Sequence, residues 1–421
     1  MKSWRGCLHA GYMPELKARS DMTRNVSMES VPGVFAASWP TYDDEQIAAV
    51  SAVLRSGKVN YWTGDETRLF EQEYADYLGR RHAIAVANGT VALELALEAF
   101  GIGAGDEVVV PSRTYIASAS CAVMRGAVPV VADVDRDSQC ITAATIEAVL
   151  SSRSRAVIVV HLAGWPCEMD EIMALAAKKN LIVIEDCAQA HGAFYNGKPV
   201  GHHGHAAAFS FCQDKIMTTG GEGGLLAIDD EQAWLKAWSF KDIGRSFEAI
   251  YNRQHPAGFR WLTESFGTNG RMTEMQAALG RIQLRRLPAW NERRTENAEI
   301  LRSALADIPS LRVPFPPENI RHAWYKFYAF VRLAALKHDW SRDRIMQEVE
   351  SAGVPCSVGS CGEIHREKAF TDRGWHPSQP LPTAAELAAT SLCFLIHPTL
   401  GASAMHQTSA VLHRVMCEAT Q

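Results

Sequence analysis

The sequence predicts an α/β protein: a mostly parallel central sheet flanked by helices, followed by a smaller C-terminal α+β unit. Three observations carry this expectation. From Pro40 onward, amphipathic helical stretches alternate with short β-branched runs. One of those runs, residues 181–185, is apolar on both faces, as a middle strand of a parallel sheet must be. After about residue 272 the alternation gives way to one long helical pattern, a linker marked by Pro314, Pro316 and Pro317, and a shorter mixed unit.

The elements follow in order. Residues 1–39 lack the apolar core and cleavage site of a secretory signal and are expected to form a partly disordered N-terminal extension. Helices are expected over 43–56 and 65–78, then a strand at 83–87, a helix at 90–100 and a strand at 107–110. A helix after Tyr115 leads to a strand at 128–131, a helix at 142–150, a strand at 157–161, a helix at 168–178 and the strand at 181–185. Strands at 206–211 and 224–228 are joined by a loop too short for a crossover helix, so this pair should run differently from the others. A helix over 272–305, punctured at Pro288, leads into an alternating stretch at 324–331 and a helix at 343–352. Two domains are expected, a large one over 40–290 and a small one over 291–421.

The 421 residues include 42 basic and 47 acidic side chains, a formal charge of −5, so no global positive field favours nucleic acid. No run approaches the roughly 20 apolar residues of a membrane helix. Ten cysteines are scattered singly without a C-x-x-C pair, and read as buried small residues in a reducing cytoplasm.

In parallel sheets, ligands gather beyond the carboxyl ends of strands. Asn88-Gly89-Thr90 opens a helix there, where free N–H groups suit a phosphate, although N-capping by Asn88 alone explains the tripeptide. Asp186 ends an apolar strand and needs a cation or strong donor, a structural salt bridge included. Lys215 lies just past another strand, ahead of the glycine-dense loop 220–224. A lone loop lysine is ordinarily a solvated charge. Beside an anion cradle and a strand-end carboxylate, it becomes a candidate Schiff-base lysine for pyridoxal phosphate (PLP).

These segments resemble the DegT/DnrJ/EryC1/StrS sugar aminotransferases, fold-type I PLP-dependent enzymes, over residues 39–411. Asn88-Gly89-Thr90-Val91-Ala92-Leu93 is similar to the family's phosphate turn, and Pro111-Ser112-Arg113-Thr114-Tyr115 to the segment whose aromatic ring stacks on the pyridine. His161-Leu162-Ala163-Gly164 and Glu185-Asp186-Cys187-Ala188-Gln189-Ala190-His191-Gly192 match two further motifs. So do Phe209-Ser210-Phe211 with Lys215, Gly221-Glu222-Gly223-Gly224, and Gly267-Thr268-Asn269-Gly270-Arg271-Met272 with Gln276-Ala277-Ala278.

The resemblance implies that Lys215 binds the PLP aldehyde, Asp186 pairs with the ring nitrogen and Tyr115 stacks on the ring. Gln189 lies near the phenolic oxygen, while Gly89, Thr90 and Ser210 hold the phosphate. Asn269 reaches the cofactor of a partner subunit in a homodimer with shared active sites. It also implies amino transfer from an amino acid, usually glutamate, to a nucleotide-linked keto sugar. Arg113 and His205 depart from the family pattern and bear on the pocket entrance or substrate choice. A keto-cyclitol substrate fits the motifs as well. A related dehydratase class is disfavoured because it carries histidine where Lys215 stands. A PLP-binding regulator would need a DNA-binding module that 34 to 40 leading residues are too few to supply.

Other features read blandly. His202, His203 and His205 suggest a solvated loop rather than a metal site, and Trp324, Tyr325 and Tyr328 a half-buried strand. Cys187 reads as packing, and Arg281, Arg285 and Arg286 as an exposed helix face or dimer contact.

Overall fold

The computed structural model describes residues 33–421. Its strands are β1 (His82–Val86), β2 (Glu107–Pro111), β3 (Val128–Ala132), β4 (Ser154–Val160), β5 (Ile182–Asp186), β6 (Phe194–Tyr195), β7 (Lys198–Pro199), β8 (Ala206–Ser210), β9 (Gly224–Ile228), β10 (Leu311–Arg312), β11 (Ile320–Arg321), β12 (Phe327–Val331), β13 (Cys356–Ser357) and β14 (Ser391–Phe394). The main sheet has the order β1-β9-β8-β5-β4-β2-β3. Its strands β3, β2, β4, β5 and β8 are parallel, whereas β9 is antiparallel to both β8 and β1. The antiparallel turn expected from the short 211–223 connection is therefore present.

Helices α1 (Asp44–Ser56), α2 (Glu66–Leu78), α3 (Gly89–Ala99), α4 (Ala117–Met124), α5 (Ala143–Glu147), α6 (Met169–Lys179), α7 (Glu231–Lys241) and α8 (Phe247–Tyr251) cover the sheet. Strands β5, β8 and β9 are buried throughout or nearly so, which explains their Ala, Val, Ile and Leu content. The expected helix over 142–150 is shorter than predicted: α5 starts at the Thr142 capping box and ends at Glu147, and Ser151 and Ser154 then bind the Glu107 carboxylate.

Helix α9 (Glu274–Leu305) runs unbroken through Pro288 and past residue 290. It begins at a Thr273 capping box and packs on α1 and α2, with buried Gly280 against Phe70. Arg281 binds Glu66 and Glu73, and Arg286 binds Asp43 and Glu45. The arginine face is tied to α1 and α2 within the chain, with Arg285 exposed as the helical spacing suggested.

Beyond α9, β10, β12, β14 and β13 form a four-stranded antiparallel sheet packed with α10 (Arg342–Ser351), α12 (Pro382–Thr390) and α13 (Ala402–Ala419), while Phe370 of the short α11 (Lys368–Thr371) joins the main-sheet core. Its apolar cluster also takes in Phe35 from the leading segment. Residues 1–32 of the expected extension lie outside the described residues.

Candidate active site

Loops at the carboxyl ends of β4, β5 and β8, the start of α3 and the beginning of β12 enclose a cavity of about 870 Å³. Seven of the eight residues singled out from the sequence line it: Gly89, Thr90, Tyr115, Asp186, Gln189, Ser210 and Lys215. Asn269 does not. It is exposed, held by an antiparallel bridge to Asp242 in a loop beside the bare aromatics Trp261 and Phe266.

At one end lies the α3 turn. Extended Asn88 caps the helix, its Oδ1 accepting the Val91 N–H at 3.0 Å. Gly89 and Thr90, the first two helical residues, have N–H groups without intrahelical acceptors. The turn is too tightly walled for side chains. A Cβ on Gly89 would stand 2.6 Å from Ser210 Cβ, and one on Gly224 2.3 Å from the Asn88 carbonyl carbon. Ser210 is fixed from below, where His191 Nε2 donates to its carbonyl at 2.9 Å and Tyr74 donates to His191 Nδ1 at 2.8 Å. Burial holds this imidazole neutral, its pKa lowered to about 4.

Asp186, the last residue of β5, is 7% exposed. Its carboxylate accepts Ser118 Oγ at 2.9 Å and the Ala188 N–H at 3.2 Å. Burial nevertheless pushes the carboxyl above its usual range, so a cation placed on it would relieve a desolvation cost. Beneath it, Glu185 accepts from the amides of Gly201, His203 and Gly204 and from His161 Nε2 at 3.0 Å. Burial raises that carboxyl, but these donors and Arg80 together bring it down to about 2. His161, Glu185 and Cys187 lie close enough to suggest a metal site. The Glu185 oxygens are already filled, however, and His161 Nδ1 accepts the Cys167 N–H, which makes the cluster a structural hub.

The histidine loop is not solvated as expected. His202 donates to the Leu78 carbonyl, His203 Nε2 is buried and His205 Nδ1 accepts the Val183 N–H, so the rings fasten the loop that wraps Glu185.

Lys215 is half-buried, and its Nζ stands 5.2 Å from the centre of the Tyr325 ring. Its carbonyl accepts the Trp39 indole N–H at 2.8 Å. Tyr325 OH in turn donates to Asp214, whose carboxyl is raised by burial but held below its usual range by Lys215 and this bond. Gln189 Oε1 accepts the Ala163 N–H at 2.7 Å, linking the H-x-x-G turn to the cavity wall. Tyr115 is 68% exposed at the mouth.

Sequence reasoning missed the wall from the start of β12: Tyr325, Lys326 and Tyr328 all line the cavity. The signal was Lys326 itself, a charge inside the otherwise apolar run 324–331. Cys212, Cys361 and Cys393 also line it, and Cys361 and Cys417 are exposed rather than buried. Cys187 is buried.

A turn of free amides, a buried carboxylate and an amine unpaired among the described residues, all facing one cavity, suit a cofactor with a phosphate, a cationic ring nitrogen and an aldehyde; the residues present fit PLP. The family model for the DegT/DnrJ/EryC1/StrS aminotransferase family matches residues 40–413. A curated relative, dTDP-3-amino-3,4,6-trideoxy-alpha-D-glucose transaminase of Streptomyces venezuelae, is 34% identical over 85% of this chain and 88% of its own length. The crystal structure of an aminotransferase from Psychrobacter cryohalolentis superposes with a TM-score of 0.89 at 52% identity, covering 91% of this chain and 99% of that one. That of S. venezuelae DesV in complex with a ketimine intermediate gives 0.79 at 33% identity, covering 88% and 94%.

Proposed function

Because this chain belongs to the DegT/DnrJ/EryC1/StrS aminotransferase family and is a PLP-dependent transaminase, we propose that it moves an amino group from glutamate to a keto sugar carried on a nucleotide. The reading rests above all on one juxtaposition. The unpaired amine of Lys215 shares a cavity with the α3 turn and with Asp186.

Bound there, PLP supplies an aldehyde that condenses with amines and a ring that draws electrons away from the donor's Cα. The chain supplies the rest. Gly89, Thr90 and Ser210 hold the phosphate, and Asp186 keeps the ring nitrogen protonated. Tyr115 would cover one face of the ring, and Gln189, fixed by Ala163, would meet its phenolic oxygen. Lys215 anchors the aldehyde carbon in the resting enzyme. The Lys215 amine would also take a proton from the donor's Cα and deliver it at the aldehyde carbon, and with the ketone substrate it would move the proton the other way.

Asn269 is exposed and does not line the cavity of its own subunit, a placement that suits a homodimer in which it reaches the partner's cofactor. The nine described cysteines are all free, which suits a cytoplasmic enzyme. Among the described residues no helix is long and apolar enough to cross a membrane.

Borohydride reduction followed by peptide mapping tests the assignment, with the pyridoxyl adduct expected on Lys215. An adduct on Lys198 or Lys241, or none, would overturn it. A panel of nucleotide keto sugars incubated with glutamate and followed by mass then identifies the acceptor.

A further inference from the structure

Lys326 enters the cavity from the small-domain side, immediately before β12 and between buried Tyr325 and Phe327. Its Nζ lies 4.9 Å from the Tyr325 ring centre, and Lys215 Nζ lies 5.2 Å from the same centre, so the two amines are within roughly 10 Å of each other. No carboxylate among the described residues lies within ion-pair distance of Lys326. The nearest carboxylate acting on Lys326, Asp214, lies beyond ion-pair distance and is taken by Tyr325 OH.

Further positive charge stands behind this wall. Arg113 is 1% exposed, with its guanidinium 5.6 Å from the Tyr328 ring centre. Nε donates to Gln139, but neither Nη atom has a partner among the described residues. Buried Arg294 spends Nη1 on the Trp324 and Tyr325 carbonyls and also faces no carboxylate. Burying an unpaired ammonium among such cations is costly, and an anion arriving with the substrate offsets that cost.

We propose that Lys326 is the binding residue for a carboxylate of the amino-acid donor, an inference that rests on the aminotransferase reading of this site. The amine of an amino acid is two bonds from its α-carboxyl carbon. A carboxylate held on Lys326 by a hydrogen bond of about 2.8 Å therefore leaves the amine directed at the atom that Lys215 anchors. Tyr325, 4.9 Å from the ammonium, and Tyr328 line the cavity beside Lys326, which suits a flat two-oxygen group. A sugar diphosphate is bulkier and fits the open mouth by Tyr115 and Cys361. A keto sugar without a carboxyl group brings no carboxylate to this position, so with such an acceptor Lys326 acts on one half of the cycle.

The test compares wild type, Lys326→Met and Lys326→Arg holoenzymes in separate half-reactions, followed by cofactor absorbance. The donor is the fastest of L-glutamate, L-glutamine, L-aspartate and L-alanine on the wild type. The aminated enzymes are then reacted with a nucleotide keto sugar. Lys326→Met is expected to raise the half-saturating donor concentration by roughly 10- to 100-fold, the loss of one charge-assisted hydrogen bond. Lys326→Arg should recover most of it, and the sugar half-reaction should be unchanged. Glutarate, which carries carboxylates without an amine, should perturb the wild-type spectrum and lose that effect in Lys326→Met.

Donor saturation in Lys326→Met equal to wild type overturns the proposal. So does a sugar half-reaction weakened as much as the donor half, which would assign Lys326 to the diphosphate. If Lys326→Met does not fold, Lys326→Gln replaces it under the same criteria. A wild type that runs neither half-reaction overturns the aminotransferase reading itself, and this inference with it.

Discussion

Asp186 and Glu185 are consecutive carboxylates with opposite surroundings, and the contrast separates their roles. Asp186 has two neutral donors and a carboxyl pushed up by burial, so it gains from a cationic partner. Asp186→Asn should retain the fold but lose amino transfer on the order of 100-fold, because an amide does not hold a ring nitrogen protonated. Glutamate half-reaction rates measure this, and parental rates would reduce the carboxylate to a structural part. Glu185, by contrast, is saturated with donors and depressed to about 2. Its contribution to stability is complete above the unfolded carboxylate range and is lost as pH falls from about 4.5 toward 2. His191 works at a higher pH. Its folded pKa of about 4 lies below the ordinary 6.5, so the unfolded chain binds a proton that the folded chain excludes, and stability falls as pH drops from 6.5 toward 4. His191→Gln should flatten that part of a denaturation-against-pH profile, even though it lowers stability at neutral pH. An unchanged slope would mean the imidazole is not held neutral.

At the scale of elements, the crossing of α2 and α9 fixes one wall of the large domain through a single glycine. Gly280 faces Phe70 so closely that an added Cβ would meet its ring at 2.7 Å, and Phe70 is itself hemmed in by Tyr74 and Phe211. Gly280→Ala, favourable for an isolated helix, should here destabilise the protein by about 1–3 kcal/mol in urea unfolding. A neutral or stabilising result would show that the aromatic cluster yields. The elements themselves were largely legible in the sequence, because β4, β5, β8 and β9 are buried apolar runs and α1, α5 and α9 open on capping boxes. What the sequence hid was pairing over long range. The arginines of α9 look solvated until α1 and α2 place Asp43, Glu45, Glu66 and Glu73 beside them. The histidines near 203 look solvated until Glu185 draws their backbone inward.

At the scale of the whole molecule, the cavity is closed by two parts of the chain about a hundred residues apart. The large-domain wall was readable because each residue follows a strand end. The wall from β12 was not, since Tyr325, Lys326 and Tyr328 sit in a pattern that equally describes a plain strand. Asn269 is exposed and outside the cavity lining of its own chain, although Gly270 beside it packs on Val91, and this placement makes the dimer testable. Mixing Lys215→Ala chains with Asn269→Ala chains under subunit exchange should form heterodimers in which one site combines an intact Lys215 with the other subunit's intact Asn269. Activity should rise above that of the Asn269→Ala homodimer. No rise despite verified exchange, or a fully active monomer by light scattering, would mean that each chain completes its own site.

The tie between Trp39 and the Lys215 carbonyl has a practical side. The family match begins at residue 40, one position after that indole, so a clone trimmed to the recognisable boundary would discard a guy-rope of the reactive loop while keeping every motif. Trp39 also rests edge-on against Trp290 and alongside His397, so the same cut would bare two aromatic faces. Such a truncated protein should purify with less bound cofactor and melt at a lower temperature than one starting at residue 33. Alignment borders, in this chain, are a poor guide to where the scissors should go.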